Sequence, residues 1–303
     1  LARAMGRLGR YFKYLKTTIE EFIADDCSTM AAALAFYTVI SLPAILLILV
    51  AVVGIVFGRA AVEGEIQQQI QGFIGPGAAQ QVQTIIQRQS ENTSGTVLGL
   101  VFGGLALLFS ATTAFAQLQS ALNKTWEVQP DPEAGVKNFL LKRLWSFIML
   151  LGIGVLLFAS LALSALLPAL ESVAGFMPFS GTLSRVLYAL VSFAVFVVLF
   201  AAIYKVLPDT QIAWREVWVG AITTAVLFVI GRYLIGMYLA NSARTSAYGA
   251  AGSLILIVLW VYYASMILLL GAEFTQVWAR ERGRRIQPAE GAIRTEERPR
   301  KAA

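Results

Sequence analysis

Long apolar runs, separated by short polar stretches, set the pattern of this chain. Crossing roughly 30 Å of hydrocarbon takes about 20 mostly apolar residues in a helix. Six stretches meet that length: about 31–57, 96–118, 144–167, 183–206, 217–240 and 253–272. None alternates apolar and polar positions as the strands of a membrane barrel do. Backbone polar groups in lipid must then be satisfied within each segment, which leaves the helix. The first run starts behind Glu20, Glu21, Asp25 and Asp26, an arrangement that fits an uncleaved span better than a signal peptide.

A different period appears before the first run. Met5, Leu8, Phe12, Leu15, Ile19 and Phe22 recur at spacings of three and four, and Arg3, Arg7, Arg10 and Lys13 lie largely off that face. Residues 1–24 therefore read as an amphipathic helix, lying in the headgroup plane or packed under the bundle. Between the first two runs, two Gln-rich stretches, 61–73 and 78–90, flank Gly75-Pro76-Gly77, the pattern of a helical hairpin. It would act as a lid or as a plain cap. The charged segment after Arg280, with Pro288 and Pro299, reads as a disordered tail. The expected fold is an all-α integral membrane protein. A six-helix transmembrane domain (25–280) follows the amphipathic helix (1–24), carries an outer hairpin between spans one and two, and precedes a tail (281–303).

Charge sets the orientation. Of the 24 basic residues, the odd-numbered loops hold only Arg59, Arg88, Arg185 and Arg244, while both tails are rich in Arg and Lys. The positive-inside rule places both termini in the cytoplasm. Basic tails at an anionic leaflet also account for the net charge of +6, so no nucleic-acid partner is expected.

Composition narrows the chemistry. The 303 residues are 57% hydrophobic and 14% charged, with one cysteine and no histidine. Histidine-based catalysis and His-ligated zinc are excluded. No phosphate-binding glycine loop, HExxH, GxSxG or calcium-loop pattern occurs, so neither cofactor nor metal is expected.

Polar residues inside the apolar runs carry the remaining signal, because a charge in hydrocarbon has to face protein or water. Arg232 lies in the fifth run, in the outer half of the bilayer. It suits an anionic headgroup or substrate, or else snorkels to the outer surface or forms a structural pair with Glu63, Glu65 or Glu171. Thr113 and Gln117, four apart in the second run, share a face that lines a polar cavity or bonds a neighbouring helix. Tyr262 stands near the middle of the sixth run, as a packing aromatic or a further substrate contact, and Glu273 near its inner boundary. Arg143, Lys205 and Arg215, all near the same interface, are the expected ion-pair partners of Glu273, with a proton or cation relay as the other role. Gly95, Gly99 and Gly103 form overlapping GxxxG patterns that read as a close helix seam within one subunit or between two, so a homo-oligomer stays open.

Three blocks carry a resemblance. Asp25-Asp26-Cys27-Ser28 followed by AAALAFYTVISLPAILL (31–47), LNKTWEV (122–128), and YGAAGSLILIVLWVYYASMILLLGAEFTQ (248–276) are similar to the YihY/BrkB family of bacterial inner-membrane proteins. The resemblance implies a six-helix inner-membrane protein. Some members have carried a ribonuclease BN label, but metal-dependent RNA hydrolysis needs clustered ligands that this sequence does not assemble. The family's association with envelope lipids and virulence implies a non-enzymatic transporter of an anionic lipid or amphiphile. A structural or regulatory envelope protein is the alternative.

Overall fold

In the computed structural model of the chain, residues 2–57, 97–131, 181–242 and 249–295 are described, with isolated positions 71, 80, 83–84, 141, 144–145, 148 and 152. Six long helices form along these stretches: α1 (Ala2–Ala24), α2 (Cys27–Phe57), α3 (Val97–Thr125), α4 (Gly181–Val206), α5 (Trp214–Ser242) and α6 (Gly249–Glu281). Four short strands sit between and after them: β1 (Val128–Pro130), β2 (Thr210–Gln211), β3 (Gln287–Pro288) and β4 (Ala292–Arg294).

Four helices among the described residues are long and apolar enough to cross a membrane: Cys27–Ile48, Ala189–Val206, Trp214–Leu234 and Leu254–Glu281. They match the first, fourth, fifth and sixth expected spans. The second expected span falls on α3, whose first half has side chains outside the described ones. The third, and the hairpin over 61–90, lie outside the described residues apart from isolated positions. The Gly95-Gly99-Gly103 seam is likewise not among the described side chains.

Helix α6 is the centre of the arrangement, packing on α1, α2, α3 and α5; α2 also lies along α3, and α4 along α5. Large apolar side chains such as Phe36, Ile40, Leu190, Ile222, Ile230 and Ile255 are exposed on the outer faces, as lipid-facing helices require. The main core gathers at one end, where α2 and α5 begin and α3, α4 and α6 end. It contains Met30, Leu34, Leu122, Trp126, Tyr204, Val217, Ala221 and Leu269.

Small residues let α5 and α6 approach. A Cβ on Gly220 would collide with Thr275, one on Gly231 with the Tyr263 hydroxyl, and one on Gly271 with Thr224. This seam was not singled out from the sequence, although Gly220-xxx-Thr224 and Gly271-xxx-Thr275 are both small-xxx-small patterns.

The amphipathic helix takes an orientation that the apolar period alone does not give. Tyr14 and Thr18 are buried. The Tyr14 ring meets Trp278 edge-on at 5.7 Å, Lys13 pairs with Glu281 at 3.3 Å, and Glu21 pairs with Arg280 at 2.8 Å. So α1 packs against the end of α6 through its mixed polar and aromatic face. Leu15, Ile19 and Ile23, four residues apart, remain exposed on another side, while Phe22 packs on the core.

The expectation of a disordered tail gives way over 282–295. Strand β4 pairs antiparallel with β1, and β3 with β2, so the tail straps two turns at the core end. A side-chain clasp reinforces the strap. The Asp209 carboxylate accepts from Asn123 Nδ2 at 2.8 Å and from Gln119 Nε2 at 3.2 Å, while the Asp209 N–H donates to Asn123 Oδ1 at 2.8 Å. Asn123 is almost fully buried. Asn123→Ala is expected to lower stability by about 1.5–3 kcal/mol, the usual worth of hydrogen bonds to a charged group. A thermal midpoint in detergent indistinguishable from the parent's would argue against the clasp.

Candidate functional site

The site is built where two chain reversals meet the interior of α6. Asp26 (φ 57°) ends α1 in the left-handed region, which Asp tolerates better than most residues. The reversal carries Asp25 to a half-buried position and starts α2 at Cys27. Glu127, also at φ 57°, closes the corresponding turn after α3, where Thr125 ends the helix and Trp126 folds inward. The Trp126 indole donates to the Ala272 carbonyl at 3.0 Å, which fixes α3 against α6 one residue before Glu273.

Glu273, Cys27 and Thr125 are completely buried. The Cys27 thiol donates to Glu273 Oε1 at 3.3 Å, a weak bond that leaves most of the carboxyl's capacity unused. Glu273 Oε2 and Thr125 Oγ1 are buried with no hydrogen-bond partner. Among the described residues no basic side chain stands within ion-pair distance of Glu273, and its strongest charged neighbours are Asp25 and Glu21. Burial pushes the Asp25 carboxyl above the ordinary carboxylate range. Its interaction with Glu273 opposes that shift, Glu21 and Glu127 add to it, and Lys124 opposes it. Among the described residues, no group of three or more His, Cys, Asp or Glu could hold a metal ion.

The expected partnership of Glu273 with Lys205 does not form. The Lys205 ammonium donates to the Ile212 carbonyl at 2.6 Å and lies 5.6 Å from the centre of the Trp214 ring. At the last turn of α4 it serves the adjoining loop, as a basic residue at a helix C-terminus commonly does. Arg143 is outside the described residues. The other expected site residues belong to different packing pairs. Arg232 is exposed on α5, which packs with α4 and α6. Thr113 and Gln117 are partly buried on α3, which packs with α2 and α6, and the Thr113 hydroxyl donates to the Phe109 carbonyl at 2.7 Å. Tyr262 packs against the main core. Its neighbour Trp260 joins an aromatic group with Phe228, Phe196 and Phe200.

Sequence reasoning found Glu273 and missed its surroundings. Asp25 stands there only among the acids before the first run, Cys27 as a lone cysteine, and Thr125 only within the LNKTWEV block. The one available signal was Asp-Asp-Cys immediately before an apolar run.

Known proteins give the arrangement a context. The chain is 28% identical over 268 residues to a UPF0761 membrane protein of Psychrobacter sp. (strain PRwf-1), covering 88% of this chain and 48% of that protein. It is 28% identical over 282 residues to a UPF0761 membrane protein of Legionella pneumophila, covering 90% and 63%. A third, from Alkalilimnicola ehrlichii, is 29% identical over 262 residues, covering 86% and 57%. The chain thus spans between about half and just under two thirds of the length of these relatives. No solved structure matches. The described elements from the end of α1 to β4, including Asp25, Cys27, Thr125 and Glu273, all fall within the 18–294 region that matches the profile described as virulence factor BrkB, so the chain belongs to that family of membrane proteins.

Proposed function

We propose that the chain is a six-span, non-enzymatic protein of a bacterial inner membrane, with both termini cytoplasmic, that moves an anionic lipid or amphiphile. The observation that carries this reading is Glu273, a carboxyl fully buried in a bundle of apolar helices with no basic partner among the described residues. An intramembrane ionisable group of this kind marks an ion or substrate path more often than a packing role. A scaffold that only presents its surfaces has no use for one.

The helix ends support the six-span count. The end of α3 and the end of α4 share the clasp, while α4 begins 25 residues earlier, about 38 Å away along the helix. A helix of that length covers the roughly 30 Å of hydrocarbon that each of the six expected spans has to cross. The bias of basic residues toward the same end supports the cytoplasmic assignment of the termini.

Arg232 supports an anionic cargo. It lies on the outward surface of α5 beside the exposed Ile230, Tyr233 and Leu234, toward the end opposite the core. The guanidinium's planar fork of donors suits a phosphate or carboxylate headgroup. In proteoliposomes, labelled anionic lipid is expected to cross faster with the protein than without it. Arg232→Ala is expected to slow that movement about tenfold or more, the worth of one charge-assisted contact, with assembly intact. No movement by folded parent protein would turn the reading to a non-transporting envelope protein. Movement unchanged in Arg232→Ala would remove the arginine from the path.

A further inference from the structure

We propose that Glu273 is a proton-binding site within the bundle, loaded and unloaded through Asp25, and that this proton drives the translocation. The second half rests on the transport reading; the first does not.

The argument is one of unused bonding capacity. Glu273 Oε1 accepts from the Cys27 thiol. Oε2 has no hydrogen-bond partner and no access to solvent. An enclosed carboxyl oxygen has to be compensated by a donor, a cation or a proton. The charged groups around it do not supply the cation. From α1, Glu21 is itself an acid and is held by Arg280 of α6 at 2.8 Å. From the turn before α2 comes Asp25, a second acid. The Lys124 and Glu127 charges near the end of α3 act on Asp25.

An independent atom points to the same place. Thr125 Oγ1, at the end of α3, is fully buried and unpartnered, and it acts on the Cys27 thiol that Glu273 also meets. The Glu273 carboxyl and the Thr125 hydroxyl, on different helices, thus meet at one sulfur. A hard metal cation would need a shell of oxygens. Two free oxygens beside a soft thiol do not provide it, and the proton is the cation that this set accommodates. Asp25, half-buried at the turn and interacting through its side chain with Glu273, stands between solvent and Glu273 in this route. A proton from solvent forms an O–H bond at Asp25. That bond then breaks as one forms at Glu273 Oε2, so each transfer conserves charge.

The chain's single cysteine gives the test, because its S–H stretch can belong to no other residue. Infrared difference spectra of the purified full chain in liposomes are recorded across pH steps. The expected result is a carboxylic C=O band and a Cys27 S–H shift that titrate together. Both should vanish in Glu273→Gln, and Asp25→Asn should move their midpoint. A parent S–H band that ignores pH, or one whose titration survives in Glu273→Gln, would overturn the site. If Glu273→Gln fails to assemble, an unmoved midpoint in Asp25→Asn overturns the proposed route. Titration without lipid movement leaves the proton site standing and removes only its link to transport.

Discussion

Replacing Trp126 with alanine is expected to lower folding stability by about 3–5 kcal/mol, the range for deleting a large buried aromatic. Trp126 is 1% exposed. Its ring meets Tyr204 edge-on at 5.9 Å, and its indole donates to the Ala272 carbonyl at 3.0 Å. Through these contacts one side chain joins the end of α3 to both α4 and α6. Alanine would remove the ring contact, the hydrogen bond and the volume together. Trp126→Phe keeps most of the volume and loses the donor, so its loss should be smaller, nearer the roughly 1 kcal/mol of a single neutral hydrogen bond. Thermal unfolding in detergent should rank the parent first, phenylalanine second and alanine last. An alanine variant as stable as the parent would mean that this end of the bundle is not where the helices are held.

Gly271→Ala should be nearly as damaging despite adding one carbon. Its Cβ would collide with the Thr224 hydroxyl and approach the Tyr204 hydroxyl at 2.6 Å. These hydroxyls already form a tight set: Tyr204 meets the Leu268 carbonyl at 2.7 Å and Thr224 Oγ1 at 2.8 Å, and Thr224 reaches the Gly220 carbonyl at 2.8 Å. Two hydroxyl protons serve three contacts, so the group has no spare geometry. Overpacking costs about 1–3 kcal/mol, and disrupting the hydroxyl set adds about 1 kcal/mol for each bond lost. Deleting the obstructing oxygen should relieve part of the strain. Thr224→Ala combined with Gly271→Ala is therefore expected to be more stable than the sum of the two single effects, because the residues are in contact. Strict additivity would show that α5 and α6 do not meet there.

The long apolar helices were legible because a bilayer-length run depends on no distant partner. Residues 27–48, 189–206, 214–234 and 254–281 declare themselves by composition alone. The face of α1 was only half legible. Its apolar period is real, but the partners at the end of α6 are Trp278, Arg280 and Glu281, which select Tyr14, Glu21 and Lys13 rather than the leucines. The tail misled for a related reason. Its arginines and Pro288 look like solvated chain, whereas its order comes from backbone pairing with β1 and β2, which side-chain pattern does not encode. The site was hidden by distance. Cys27 and Glu273 are separated by 246 positions, and their meeting depends on how α2 and α6 pack.

The strap has a bearing on the order of biosynthesis. The Thr295 N–H bonds the Glu127 carbonyl, the Asp131 N–H bonds the Gly291 carbonyl, and the Ala289 N–H bonds the Asp209 carbonyl. Two turns made early are therefore closed by residues translated after every described helix. During synthesis the turn after α3 waits unfastened while α4, α5 and α6 are added, and the turn after α4 waits while α5 and α6 are added, so the helices can rearrange until the last few bonds form. Fastening is a late step with long sequence separation, the kind that folds slowly. A ribosome stalled just after α6 would hold a chain with all its described helices and neither turn secured.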